Sequence, residues 1–117
     1  MITRIGIDAR KADDYGIGTY TRGLLKGLAE LTAGASAPEA EKFIVFQREG
    51  TALGPLGDRF ETRIENAAGY SARELTALSR HAARERLDLF HATHYVLPIA
   101  LRCPAVVTIH DVLHLRF

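Results

Sequence analysis

The stretch Arg4-Ile5-Gly6-Ile7-Asp8-Ala9, the polar, glycine-bearing segment Arg10–Gly18 after it, and the leucine-rich run that follows decide the fold. Ile5 and Ile7 are β-branched and favour a strand. Gly6 between them leaves room for another backbone or a helix to approach. Beyond the loop, Ile17, Tyr20, Leu24, Leu25, Leu28 and Leu31 recur at helical spacings, with Arg22, Lys26 and Glu30 on another face. Gly34 is a stop signal, followed by a Ser/Ala/Pro stretch to Pro38. A strand, a glycine loop and an amphipathic helix in that order form the opening unit of a parallel α/β sheet.

The rest of the chain repeats the alternation. Phe43-Ile44-Val45-Phe46 is an unbroken apolar run that suits a strand buried on both faces. Thr51–Asp58, with Gly54, Pro55 and Gly57, reads as a loop, and Phe60–Ile64 as a strand. Ser71 and Glu74 have capping-box spacing at the head of a second helix, whose apolar face is Leu75, Leu78 and Ala82. Leu87–His91 and Ala105–Ile109 are strands. The predicted order is β-α-β-β-α-β-loop-β: an α/β, Rossmann-like, mainly parallel sheet with helices on both faces, in one domain over residues 1–117.

Composition narrows the function classes. The chain has 117 residues and a net charge of +1, which gives no basic excess for nucleic acid. Its single cysteine, Cys103, cannot form an internal disulfide and reads as an inert core thiol. Met1–Lys11 lacks the apolar core of a secretory signal, and the apolar stretch Tyr95–Ile109 is interrupted by Pro98, Arg102 and Pro104. The expectation is a cytoplasmic protein. Arg73, Arg80, Arg84 and Arg86 on the second helix form a solvated face or, alternatively, a peripheral contact with an anionic membrane surface.

Open α/β sheets bind ligands beyond the carboxyl ends of their strands. Three polar segments fall there: Asp8–Gly18, His91–Tyr95 and His110–His114. Gly16-Ile17-Gly18 at a helix start suits a phosphate group or a plain helix-entry turn. Neither the dinucleotide fingerprint, whose third glycine position holds Thr21, nor the Walker lysine pattern is present. His110-Asp111 can donate to a substrate hydroxyl or carry a proton; His110 and His114 follow a strand rather than share a helix, so no metal site is expected. Tyr15 is expected at the site and Tyr20 in the core.

Three segments together, Ile5–Arg10, Gly16–Tyr20 and His91–Pro98 with Val107–Asp111, resemble the N-terminal domain of family-4 (group 1) retaining glycosyltransferases, which have the two-domain GT-B fold. The resemblance covers essentially the whole chain. It implies transfer of a sugar from a nucleotide-sugar donor to a glycan, lipid-linked or small-molecule acceptor, without a metal or resident cofactor. It implies that Gly16, Ile17 and Gly18 meet the donor phosphates and that His110, supported by Asp111, contacts the donor sugar at the reaction centre. Tyr15, His91, His94 and Tyr95 would line the acceptor side. The family's paired glutamates and basic phosphate ligands belong to a C-terminal domain not represented here, so the chain reads as a truncated part that is inactive alone. The alternatives are a nucleotide-cofactor-dependent oxidoreductase domain, which lacks its ribose-binding acid here, and a non-catalytic α/β interaction module.

Overall fold

The computed structural model describes residues 3–14, 16–32, 41–66, 72–93 and 103–108, with only the backbone course for 72–75. The elements are β1 (Thr3–Asp8), α1 (Ile17–Thr32), β2 (Glu41–Gln47), β3 (Phe60–Ile64), α2 (Ala72–Glu85), β4 (Leu89–Ala92) and β5 (Ala105–Val107). They form the expected α/β sheet, five strands in the order β3-β2-β1-β4-β5, with every neighbouring pair parallel.

The apolar run in β2 explains the layering. Phe43, Ile44, Val45 and Phe46 are 4%, 0%, 0% and 0% exposed, because the strand's alternating side chains feed two cores. Phe43 and Val45 pack with Ile7, Ala9 and Leu25 on the α1 face. Ile44 and Phe46 pack with Leu78, Ala82, Phe90 and Ala92 on the α2 face. Cys103 sits partly buried against this second core, and burial pushes its thiol up, as expected of an inert cysteine.

Three expectations change in detail. The space at Gly6 is taken by side chains rather than by a backbone or helix: a Cβ there would press on the tip of Leu87, which would have to turn aside, and lie 3.2 Å from Phe90 and 3.3 Å from Phe46. Leu31 is not part of the inward stripe. It is 81% exposed, and Gly18, Thr21 and Leu25 form the buried side of α1, with Leu28 as its last side chain in the core. The fourth strand starts at Leu89, and Leu87 instead packs beside the α2-face core.

The β2–β3 crossover has no helix. Residues 48–59 make the parallel return as a loop, with Gly50, Gly54 and Gly57 at positive φ, and Leu53 and Leu56 roof the α1-face core in place of a helix. Phe43 and Phe60 stack beneath that roof with centroids 4.8 Å apart.

α2 begins one residue after Ser71, the expected cap, which lies outside the described residues along with Ile109 of the last expected strand. Its far end is clamped to the sheet. Glu85 accepts from Arg4 at 3.0 Å and from Arg63 at 2.8 Å, and Arg4 Nε also donates to the Glu85 carbonyl at 2.6 Å. Arg63 and Lys42 then hold the Glu61 carboxyl down at about 2, chiefly through hydrogen bonds.

Candidate functional site at the carboxyl edge

The strand order reverses direction between β1 and β4, because β2 lies on one side of β1 and β4 on the other. The carboxyl ends of these two strands therefore flank the crevice where ligands bind in open α/β sheets. Two layers of polar side chains occupy it: a lower one around Asp8, which aligns with Phe46 and Ala92 and so faces the α2 side, and an upper one around His91, which aligns with Ile7 on the α1 side.

The lower layer is closed. Asp8 ends β1 and is 0% exposed, with Arg10 at 4%. The Asp8 carboxylate accepts three hydrogen bonds from Arg10: from its backbone N–H at 3.1 Å and Nε at 2.8 Å on one oxygen, and from a terminal nitrogen at 2.8 Å on the other. Thr93, also fully buried, donates its hydroxyl to the Asp8 carbonyl at 2.6 Å and ties the end of β4 to the end of β1. A charge this deep is held only because its partner and its hydrogen bonds are in place.

The loop from Arg10 to α1 stands on this layer. Gly16 has φ +80°, the left-handed region that favours glycine. Gly18 is needed for packing, since a Cβ there would lie 2.3 Å from the Ala12 carbonyl oxygen. Its N–H donates to the Asp14 carbonyl at 2.6 Å, and the Tyr20 N–H donates to Gly16 at 3.1 Å. Arg22, read from the sequence as a polar-face residue, braces the loop. It donates to the Ala12 carbonyl at 3.0 Å, to Ala52 at 2.6 Å and to Asp13 at 2.7 Å, and Thr51 also donates to Asp13.

The upper layer is half-buried. His91 lies in β4, beside Ile7 of β1 and Val106 of β5. Its Nε2 is 2.8 Å from Thr108 Oγ1, and the Tyr20 hydroxyl is 3.1 Å from the same oxygen. Three elements thus meet on one threonine: α1 through Tyr20, β4 through His91, and the end of β5. Burial lowers the His91 pKa, which favours the neutral ring. With the ring proton on Nδ1, Thr108 donates to Nε2 and accepts from Tyr20; a protonated ring reverses the His91–Thr108 bond and leaves Thr108 free to accept from Tyr20 or donate to it. Tyr20 was expected in the core, but it is only partly buried and its hydroxyl joins this chain.

Of the residues expected at the site, Gly16, Ile17, Gly18 and His91 are at this edge. Tyr15, His94, Tyr95, His110 and Asp111 lie outside the described residues. Thr108 stands two residues before His110 in the chain. Thr93, Thr108 and the Asp8–Arg10 pair were not singled out from the sequence.

Among the described residues, no group of three or more His, Cys, Asp or Glu is arranged to hold a metal ion, and no helix is long and apolar enough to cross a membrane. An open groove of about 650 Å³ lies on the flank of α1, between Arg22, Lys26 and Ala29 on the helix and Leu53, Pro55 and Leu56 on the loop. It contains none of the expected site residues. No family model, curated protein or solved structure matches the chain.

Proposed function

We propose that the chain is the acceptor-side half of a retaining glycosyltransferase that uses a nucleotide-sugar donor. One observation carries this reading. Tyr20, from the helix that follows the glycine loop, and His91, from the second motif, meet on Thr108, the residue that leads into His110-Asp111. Two of the three segments that carry the family resemblance, Gly16–Tyr20 and His91–Pro98 with Val107–Asp111, therefore meet at the carboxyl edge, where an α/β sheet takes its ligand.

Each group then has a task. As the nucleotide diphosphate departs, negative charge grows on it, and the positive end of α1 favours that charge. Gly16 and Ile17 are the contact points, because the Gly18 N–H is committed to Asp14. His91, kept neutral by burial and hydrogen-bonded to Thr108, offers a hydrogen bond to an acceptor hydroxyl. His110 contacts the donor sugar, Asp111 supports it, and Tyr15, His94 and Tyr95 complete the acceptor side. A second domain holds the nucleotide. The Asp8–Arg10 pair touches no substrate and keeps the loop in register.

The test uses the longest protein that carries this chain. It is screened by thermal shift with UDP-, GDP- and ADP-sugars against nicotinamide dinucleotides, and then assayed for release of nucleoside diphosphate in the presence of sugar acceptors. Stabilisation by a nucleotide sugar, with turnover that falls at least about tenfold in His110→Ala while folding is retained, is the expected result. Stabilisation by nicotinamide cofactors alone, or turnover indifferent to His110, contradicts it.

A further inference from the structure

Among the described residues, the buried or half-buried arginines other than Arg48 have carboxylate partners. Arg4 pairs with Glu85, Arg10 with Asp8, Arg22 with Asp13, Arg59 with Glu41 and Arg63 with Glu61 and Glu85. Arg48 breaks the pattern. It is half-buried, its Nε is enclosed, and that N–H has no acceptor among the described residues. An enclosed guanidinium N–H without an acceptor is costly, and native structures rarely keep one without a reason.

Its place in the fold supplies the reason. Arg48 directly follows β2, at the carboxyl edge of the sheet. It is two residues beyond Phe46, whose ring packs in the α2-face core. Strand alternation therefore puts Arg48 on the α2 side of that edge, across the sheet from His91 and Tyr20. The local backbone is fixed: the Glu49 N–H donates to Asn66 Oδ1 at 2.9 Å, and the Thr51 N–H to the Arg48 carbonyl at 3.2 Å. Two carboxylates on this side of the sheet have other partners: Asp8 is held by Arg10, and one oxygen of Glu65 by His81. The Glu65 N–H donates to the Gln47 carbonyl, which sets Glu65 beside Arg48 on the ladder, but its carboxylate is 3.1 Å from His81 Nδ1.

We infer that Arg48 is an anion-binding residue at the carboxyl edge, one that takes a phosphoryl or carboxylate group of a ligand on the α2 side of the sheet. A guanidinium presents a rigid fork of donors that matches either oxyanion. This site is independent of the transferase reading, because it lies on the opposite face of the sheet from the His91 cluster and rests on none of the resembled motifs.

The experiment follows the Arg48 Nε–H by nitrogen–proton NMR, in the protein carrying this chain. Arg48→Gln assigns the resonance by its loss; if that variant does not fold, Arg48→Lys does so with the charge kept. Inorganic phosphate and acetate are then titrated separately into the wild-type protein against sodium chloride at equal ionic strength. A saturable shift of the Arg48 resonance with phosphate or with acetate, and no such shift for exposed Arg84, is expected; which anion acts names the ligand group. The inference is overturned if neither anion moves the resonance more than chloride does. It is also overturned if Glu65→Gln alone moves it as far as the anions do, since Glu65 is then the partner. The readout needs no sugar transfer, so it stands or falls apart from the transferase assay.

Discussion

The two polar layers at the carboxyl edge use similar atoms to opposite ends. In the lower layer, Asp8, Arg10 and Thr93 are buried, and a full charge is locked by a bidentate partner and a backbone N–H. In the upper layer, His91, Thr108 and Tyr20 are half-buried, neutral, and joined by two hydrogen bonds whose direction can reverse. The first arrangement cannot exchange its partners without exposing a buried charge. The second can exchange them for a ligand hydroxyl at little cost. Depth and charge thus separate scaffold from site along one edge of the sheet.

Breaking the lower layer has the largest expected effect. Arg10→Ala leaves the Asp8 carboxylate buried and unpaired and should cost about 3–5 kcal/mol in denaturant unfolding, a large share of the roughly 5–15 kcal/mol that holds a typical domain together. Asp8→Leu/Arg10→Met, which removes both charges, should be clearly less damaging. If the double variant is the worse of the two, the layer is not the closed ion pair described here.

Next comes the loop that stands on this layer. Gly18→Ala drives a methyl into the Ala12 carbonyl, a backbone atom that cannot rotate away. A loss of about 1–3 kcal/mol is expected in the same measurement. Gly16→Ala strains the left-handed backbone but meets nothing within 4 Å, so it should cost less.

The upper layer should tolerate change. Tyr20→Phe removes one partly buried hydrogen bond and should cost only about 0.5–1.5 kcal/mol, seen as a small drop in Tm. A loss as large as that of Arg10→Ala would erase the distinction between the layers.

The smallest effect is in the pH dependence. Burial sets the folded His91 pKa below its ordinary 6.5, so the unfolded chain binds the proton first as pH falls. The stability tied to the neutral ring is complete above pH 6.5 and is lost as pH drops below it. Between about pH 7.5 and pH 5, wild-type Tm should therefore fall further than that of His91→Gln. Equal slopes would mean that His91 is as solvated in the folded state as in the unfolded one.

Much of this was legible in the sequence, for local reasons. Four consecutive apolar residues from Phe43 leave no polar side to face water, so both faces of β2 had to be covered. Glycines ahead of a leucine-rich run marked the start of α1. Leu31 was misread because periodicity carries an apolar stripe to the end of the helix, whereas the core ends at Leu28. The polar contacts were harder. Thr93 and Asp8 are 85 residues apart, and Tyr20 and Thr108 are 88 apart, so nothing local links them. Threonine and tyrosine also fit a core or an exposed face equally well. Asp8 and Arg10 did carry a signal: opposite charges two residues apart at the end of an apolar strand, where an unpaired carboxylate could not be buried.

The central claim is that ligand is taken at the carboxyl edge, on the His91 layer of the α1 side, while the closed Asp8–Arg10 pair takes no part in binding. The most direct measurement is a single NMR titration of the protein carrying this chain with a nucleotide sugar and a sugar acceptor, reading the His91 imidazole and the Arg10 Nε–H together. The account predicts that the His91 resonances shift and saturate while Arg10 stays still. Shifts confined to Lys26 and Leu56 in the flank groove, with His91 unmoved, would contradict it.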